Sequence, residues 1–330
     1  MHKTWVLTEI DLIFCAIAFA VLPETPVSIS SKINKGEGSL ILGSIEAGGT
    51  KFVCAIGTEE GEILDRITIP TRTPNETIPE VIQFFRKEKI SALGIGSFGP
   101  IDVKKESPTY GNILNTPKLA WQNYPFLETM QNALQVPIGF TTDVNAAALG
   151  EYVFGAAKNL QSCLYITIGT GIGAGAVFQG ELLEGLSHPE MGHIIVRKHP
   201  DDSFEGVCPY HHDCLEGLAS GPAIEKRWGK KGAELSDVKK VWELEAYYIA
   251  QALVQYIMIL MPEKIIIGGG VSNQTSIFPL IHQQVKELLN GYFTHPLLND
   301  NIVDYIVKPG LNGDAGIIGG LVLAKRELEN

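Results

Sequence analysis

Short apolar runs separated by glycine-rich turns dominate the chain from residue 40 onward. Residues 40–56 have the pattern strand, glycine turn, strand, and residues 163–178 repeat it. Other apolar runs predict strands at residues 63–69, 92–98, 136–141, 264–267 and 305–307. Apolar residues at helical spacing predict helices at residues 76–87, 236–261, 277–289 and 317–328. Strands that alternate with helices indicate an α/β fold, and the repeated hairpin suggests that the fold is duplicated.

Two of the glycine turns, at residues 48–51 and 169–175, are candidate phosphate sites, and the backbone of a third turn, at residues 268–270, can lie flat against a nucleoside. Glycines let the backbone approach a phosphate closely, and Thr50 and Lys51 can donate to its oxygens. The first turn alone is a weak signal, because a plain hairpin with a Gly-Gly turn is more common. The second turn continues into an apolar strand rather than a helix, which disfavours a dinucleotide-binding Rossmann fold.

Asp143 follows the strand predicted at residues 136–141 and precedes an alanine-rich helix. The partial positive charge at a helix start stabilises a carboxylate. Two compatible interpretations are an N-cap, which is common, and a general base that accepts a proton from an attacking hydroxyl. Gly99 also stands at a strand's carboxyl end, where ligands of α/β sheets gather. In the loop that follows, Asn115 and Thr116 can contact a sugar, although a plain surface loop is a fair alternative.

Residues 187–221 contain four nitrogen and sulfur donors, His193, Cys208, His211 and Cys214, the last three spaced C-x2-H-x2-C. Two thiolates and two imidazoles complete a tetrahedral zinc shell with no open position, which indicates a structural ion. A local disulfide between the two cysteines, or unrelated polar residues on a loop, are the alternatives. Five cysteines in 330 residues are too few for a disulfide scaffold, so zinc is preferred. His212 is a possible replacement for His211.

Composition describes a globular chain without an obvious nucleic-acid or membrane partner. The hydrophobic share is 45%, the charged share 19% and the net charge −11, with no long basic run. Residues 1–39 differ from the rest: residues 12–22 are apolar but too short to span a bilayer. Glu9 and Asp11 precede them, where a secretory signal would carry positive charge. We expect a disordered or loosely attached extension and a cytoplasmic protein.

Taken together, the motifs resemble the ROK family of sugar kinases from about residue 40 to the end. They are EAGGTK at 46–51, DVNAAALGE at 143–151, GTGIG at 169–173, EMGH at 190–193, the Cys/His cluster and GGG at 268–270. Within that family, residues 187–193 and the cluster resemble the bacterial fructokinase branch. Many members have an aspartate where Glu46 stands, and the usual cluster is richer in cysteine, whereas the fructokinase branch shares the two histidines. That branch has a glycine after its histidine ligand, which favours His211 over His212.

The resemblance implies an actin-like ATPase (ribonuclease H-like) α/β fold of two lobes with a central cleft. The N-terminal lobe would comprise residues 40–144 and the C-terminal helix 315–330. The C-terminal lobe would comprise residues 145–314, with the zinc loop 187–221. A homodimer is also implied.

The resemblance further assigns roles to individual residues. Asp143 matches the catalytic base and also faces the sugar. The other expected sugar-binding residues are Gly99, Asn115, Thr116, Glu190, His193 and Glu216. The expected nucleotide-binding residues are Gly48, Gly49, Thr50, Lys51, Gly169, Thr170, Gly171, Pro222, Gly268, Gly269, Gly270 and Val271.

The activity so implied is transfer of the γ-phosphoryl group of ATP to the 6-hydroxyl of D-fructose, with Mg²⁺ at the phosphates and Zn²⁺ as a structural ion. A kinase for mannose, glucose or an N-acylhexosamine is the nearest alternative, because hexose epimers differ by one hydroxyl. A sugar-responsive ROK transcriptional regulator is less favoured. The extension lacks a basic recognition helix, so nucleic acid is not an expected partner.

Overall fold

The computed structural model of the chain describes residues 40–329. The expectation for the extension 1–39 lies outside this range. The strands of the first sheet are β1 (Ile41–Ala47), β2 (Lys51–Thr58), β3 (Ile63–Pro70), β4 (Ala92–Ser97) and β5 (Ile138–Thr142). Those of the second are β6 (Ser162–Ile168), β7 (Ile172–Phe178), β8 (Glu181–Leu182), β9 (Ile265–Gly268) and β10 (Ile306–Val307).

Both sheets have the same topology. Their orders are β3-β2-β1-β4-β5 and β8-β7-β6-β9-β10. In each, the first three strands in sequence pair antiparallel, and two later strands join in parallel on the other side. The two predicted glycine hairpins, β1–β2 and β6–β7, therefore occupy equivalent positions, as the repeated pattern of the sequence suggested.

Ten helices accompany these sheets within residues 40–329. They are α1 (Pro74–Phe85), α2 (Phe126–Leu134), α3 (Asp143–Val153), α4 (Leu215–Ala219), α5 (Gly221–Trp228), α6 (Lys239–Leu260), α7 (Ile277–Leu289), α8 (Pro296–Asn299), α9 (Ile302–Tyr305) and α10 (Ala315–Glu329). Helix α1 begins two residues earlier than predicted, because Pro74 suits a first helical position and Glu76 accepts a hydrogen bond from the Thr73 N–H at 3.2 Å. Helices α2 and α5 were not predicted, since both are short.

Each sheet has its own apolar core. The first core joins β1–β5 to α1 and α2, and the second joins β6, β7, β9 and β10 to α6 and α7. Helix α10 lies against the first sheet, where the Ser44 Oγ donates to the Ile317 carbonyl at 2.7 Å. It also packs closely on α3: a Cβ on Gly319 would meet the Ala146 carbonyl oxygen at 1.6 Å, so only glycine fits. In residues 40–329 no helix has the length and apolarity needed to cross a membrane.

Candidate active site and metal cluster

Asp143 is the first residue of α3, directly after β5. The N-cap is Thr142, whose Oγ1 accepts from the Asn145 N–H at 3.1 Å. The N-cap interpretation of Asp143 was therefore wrong by one position. The Asp143 Oδ1 instead accepts from the neighbouring Val144 N–H at 2.9 Å, which leaves the rest of the carboxylate available for chemistry.

The charges of two other carboxylates act on Asp143. Burial, and then the charge of Glu46, raises the pKa of Asp143 to about 7; backbone N–H groups oppose this shift and the charge of Glu190 adds to it. Burial also raises the pKa of Glu46, with the charge of Lys51 opposing and that of Asp314 adding. Like charges held together in this way favour either a shared proton or a bound cation.

The second and third glycine turns meet at the start of α5. The Gly221 N–H donates to the Gly169 carbonyl at 2.7 Å, which brings the neighbouring Pro222 to the second turn. A Cβ on Gly169 would lie 3.8 Å from the Gly270 nitrogen. Gly269 has a φ of +85° and packs on the backbone of Ile168, a conformation and an approach that favour glycine. The structure thus brings together three segments that were predicted separately to bind nucleotide.

A lysine side chain that was not predicted to belong to the site lies beside the first glycine turn. The Gly48 N–H donates to the Lys51 carbonyl at 2.9 Å, which closes the turn, and Thr50 and Lys51 are exposed. A Cβ on Gly49 would lie 3.2 Å from the Lys118 Cε. Lys118 belongs to the loop that carries Asn115, and its only sequence signal is that position in a candidate ligand loop.

Glu190 and Gly99 lie together through a histidine that was also missed. A Cβ on Gly99 would be 3.7 Å from the Glu190 Oε1 and 3.5 Å from the His188 Cε1. His188 is buried; its Nε2 accepts from the Ile101 N–H at 3.2 Å, which leaves the ring proton on Nδ1, 3.5 Å from the Glu190 Oε1. His188 therefore connects the loop after β4 to Glu190.

Asn115 and Thr116 lie in the loop between β4 and α2. The exposed Asn115 accepts from the Gln122 Nε2 at 2.9 Å, and Thr116 is buried. In the described residues, neither forms a hydrogen bond with Asp143, Glu190 or His193. Their sugar-binding role stays a prediction.

The four predicted zinc ligands converge. The donor atoms of His193, Cys208, His211 and Cys214 all lie within 4.8 Å of one another. The His193 Nδ1 is 3.5 Å from the Cys214 Sγ and 3.7 Å from the Cys208 Sγ, and the His211 Nδ1 is 3.7 Å from the Cys208 Sγ. A tetrahedron with Zn–S near 2.3 Å and Zn–N near 2.0 Å separates its ligands by roughly 3.3–3.8 Å. The spacing therefore fits zinc.

The alternatives to this ligand set do not match the geometry. Both Cys208 and Cys214 are free thiols, so they form no local disulfide. His212 is outside the cluster; it has a φ of +53° and its carbonyl packs against Gly206 and Gly217. His211, and not its neighbour, turns its ring toward the two sulfurs.

Glu216 lies between the metal cluster and the second glycine turn. Its Oε2 accepts from the Ile172 N–H at 2.9 Å, and its Oε1 is 4.0 Å from the His193 Nε2. A Cβ on Gly171 would touch the same carboxylate at 2.7 Å. The sugar-binding candidates Glu216 and His193 are therefore neighbours, and both are next to the turn that was predicted to hold phosphate.

Two surface cavities, of about 390 and 580 Å³, lie elsewhere and are both bordered by Arg227. None of the predicted site residues lines them. The convergence of reactive side chains, rather than cavity size, defines the candidate site.

Comparison with known proteins agrees with this arrangement. The family model described as the ROK family matches residues 42–327. A protein of Bacillus subtilis (strain 168) is 63% identical over 289 residues, which cover 88% of this chain and 97% of that protein. A fructokinase of Pediococcus pentosaceus is 47% identical over 291 residues, covering 88% and 100%.

A solved structure extends the comparison to the fold. The ROK family glucokinase of Streptomyces griseus, in complex with glucose and AMPPNP, is similar with a TM-score of 0.68 and 25% identity. The match covers 88% of this chain and all of that one. The predicted actin-like α/β fold is confirmed by this likeness and by the two mixed sheets. The family model and the two relatives lead to one conclusion: the chain belongs to the ROK family.

Proposed function

We propose that this protein is a fructokinase that transfers the γ-phosphoryl group of ATP to the 6-hydroxyl of D-fructose. The observation that carries the proposal is Asp143, a half-buried carboxylate whose pKa is raised to about 7 and whose neighbours include Glu190. The family membership and the fructokinase among the relatives support the same activity. The other kinases and the transcriptional regulator are not favoured by those relatives.

Asp143 would act as the general base. Its carboxylate accepts the proton of the 6-hydroxyl as that oxygen attacks the γ-phosphorus of ATP. A base is most effective when its pKa is close to the working pH, and a value near 7 meets this condition. Because phosphoryl transfer depends mainly on positioning and charge neutralisation, holding the hydroxyl in line is the second task of the site.

The nucleotide would lie on the joined segments around Gly169, Pro222 and Gly270, with Thr170 and Val271 beside them. Their backbone N–H groups can donate to phosphate oxygens without side chains in the way. Lys51 and Lys118 at the first glycine turn would add positive charge from the other sheet.

The residues present fit a magnesium ion. Glu46 and Asp143 are hard oxygen donors whose pKa values are both raised mainly by burial. The charge of Asp314 adds to the shift of Glu46 and the charge of Glu46 adds to that of Asp143, so a divalent cation would relieve this repulsion. When bound, Mg²⁺ supplies neutralisation of the charge on the β- and γ-phosphates. The longer side chain of Glu46, compared with the aspartate of many family members, would hold the ion through water.

Glu190, His193 and Glu216 would bind the sugar, with Gly99 leaving space for it. Carboxylates and an imidazole N–H recognise hydroxyl groups, and a site built in this way discriminates strongly against analogues that lack them. Asn115 belongs to this proposal through the family resemblance, and Thr116 through its place beside Asn115 in the same loop.

The cluster of His193, Cys208, His211 and Cys214 would hold a structural zinc ion. Four ligands close the coordination shell, so the ion would fix the loop 187–221 rather than take part in the reaction. His193 would then bind zinc through Nδ1 and present Nε2 toward Glu216 and the sugar. The ion and the sugar site thus share one residue.

The lobe boundaries, residues 40–144 with 315–330 and residues 145–314, are proposed as well, supported by the packing of α10 on β4. A homodimer, a cytoplasmic location and the absence of a nucleic-acid partner complete the proposal.

Assays of ADP release with fructose, mannose, glucose and N-acetylmannosamine test the substrate. We expect kcat/KM to be highest for fructose by at least about tenfold, equivalent to about 1.4 kcal/mol of transition-state binding. A higher kcat/KM for any of the other sugars would replace fructose in the proposal. No ADP release with any sugar would overturn it.

A further inference from the structure

A row of polar side chains on α6 binds the backbone of the segment that carries the sugar site. Residues 191–202 run along this helix. Three of the contacting side chains are Tyr248, Gln251 and Gln255, spaced about one helical turn apart. They bond, in the same order, to the His199 N–H at 3.1 Å, to the Arg197 N–H at 2.9 Å and to the Ile195 carbonyl at 3.4 Å.

The last contact of the row falls inside the sugar site. The Tyr256 hydroxyl donates to the Met191 carbonyl at 2.5 Å, and both residues are buried. Met191 follows Glu190 and begins a short 3₁₀ turn that ends at His193. Among residues 40–329, Tyr256 is the one hydrogen-bond donor to this carbonyl. Its contact therefore fixes the peptide between the two proposed sugar-binding residues.

The opposite side of the same turn is held by β7. A Cβ on Gly192 would lie 1.7 Å from the Ile172 carbonyl oxygen, so the two backbones are in direct contact. Ile172 also donates its N–H to Glu216. The turn of residues 191–193 therefore packs between α6 and the first residue of β7. The hydroxyl of Tyr256 makes the hydrogen bond on the α6 side.

We propose that Tyr256 is a positioning residue for the hexose: its hydroxyl sets the orientation of Glu190 and His193 without touching the sugar. The inference rests on the proposed function, because it assigns Tyr256 to the sugar side of that site. Without the hydroxyl, the Met191 carbonyl loses its partner and the turn can rotate. Sugar binding then becomes weaker, whereas the nucleotide segments around Gly169 and Gly270 keep their contacts.

The test compares three Tyr→Phe variants of the full chain. Y256F removes the positioning hydrogen bond. Y305F is the matched control, because Tyr305 is equally buried, 3% exposed like Tyr256, but its hydroxyl has no hydrogen-bond partner in the described part of the chain. Y248F removes contacts of the same row at Asp202 and His199, which lie beyond the turn of residues 191–193.

We expect Y256F to raise the KM for fructose by about five- to tenfold, the effect of losing one buried hydrogen bond, with kcat and the KM for ATP within about twofold of wild type. Y305F and Y248F should keep the wild-type KM for fructose, although Y248F lowers the melting temperature. Zinc content by metal analysis should be unchanged in all three.

Two results would overturn the inference while leaving the proposed function intact: an unchanged KM for fructose in Y256F, or an equal rise in the KM for ATP. A rise in the KM for fructose that Y248F shares would also reduce Tyr256 to a structural residue. If the wild-type protein does not phosphorylate fructose, the proposed function fails, and the inference fails with it.

Discussion

At the scale of single residues, the position of Asp143 was predictable and its environment was not. A strand followed by an alanine-rich helix locates the residue at the start of α3. Its neighbours Glu46 and Glu190 are 97 and 47 residues away along the chain, and no local pattern reveals that their charges act on it. His188 and Lys118 were missed for the same reason, since their contacts are also made by distant segments.

Replacing Asp143 by Asn should abolish turnover and spare binding. The amide cannot accept the proton of the hydroxyl, so kcat should fall by about 10²–10⁴-fold, while the dissociation constants for ATP and fructose change little. Steady-state kinetics and calorimetric titration measure the two effects. D65N, at an exposed aspartate, is the control and should match wild type. A kcat for D143N near that of wild type would disprove the assignment of the base.

The raised pKa of Asp143 also predicts a pH dependence. Only the carboxylate accepts a proton, so kcat/KM for fructose should fall as the pH is lowered through the apparent pKa. That value is about 7 in the nucleotide-free protein and should be lower with Mg²⁺ bound, because a cation favours the charged form. A profile from about pH 5 to 9 measures it. A rate that is flat on the acidic side would contradict the prediction.

The raised pKa of Asp143 affects stability in the opposite direction from activity. As the pH rises, activity increases and this contribution to stability decreases. A pKa that is higher in the folded than in the unfolded state stabilises the protein at low pH, and this stabilisation is lost as the pH rises toward about 7. The free energy of unfolding of D143N should therefore equal or exceed that of wild type above neutral pH. Urea titrations at several pH values would show the two curves diverging as the pH rises; curves that stay parallel would argue against a raised pKa.

At the scale of elements, the sequence predicted the strands and long helices because their apolar residues repeat with a regular period. Helices α2 and α5 were not predicted, because each spans only about two turns, too few for a period to be recognised. The contacts of the polar row on α6 were not predicted either, because in the sequence Tyr248, Gln251 and Gln255 are typical of a helix face exposed to solvent. Their partners are backbone groups of the segment between His193 and Cys208, and periodicity along one helix cannot reveal those.

One contact between elements has a predictable contribution to stability. The carboxylate of Glu151, fully buried on α3, accepts from the N–H groups of Ala156, Gly310 and Leu311 at 2.7–2.9 Å. In E151Q, the amide nitrogen must face at least one of these donors, so we expect the free energy of unfolding to fall by about 2–4 kcal/mol. Chemical denaturation measures this. E128Q on the exposed side of α2 should change the free energy of unfolding by less than about 0.5 kcal/mol. Equal losses in the two variants would refute this contribution of Glu151.

At the scale of the whole molecule, the duplicated topology was visible in the sequence because two glycine hairpins repeat one pattern. The way in which the halves join was not visible. Gly319 and Gly94 are required by contacts of α10 with α3 and β4, where a Cβ would meet a carbonyl oxygen at 1.6 and 1.9 Å. Such glycines have no turn or positive φ to mark them, so only the packed structure explains them.

The metal cluster shares His193 with the proposed sugar site. Removing the ion should therefore affect both the stability of the whole protein and the binding of the sugar. From residue 197 to residue 213 the loop has no buried apolar side chain apart from Cys208, so the bonds to zinc would contribute much of the folding energy of this stretch. Because His193 is both a proposed ligand and a proposed sugar contact, a chelator should lower the melting temperature and raise the KM for fructose together.

Two cysteine variants distinguish the effect of losing the metal ion from the effect of losing a thiol. C208A should lose zinc and reproduce the effect of the chelator, whereas C163A removes a buried thiol that lies outside the cluster and should retain about one zinc per chain. Metal analysis of purified protein, beside fructose kinetics, measures both. Active wild-type protein without zinc would show that the four donors hold no ion, and hydrogen bonds, including those to α6, would then have to stabilise the loop.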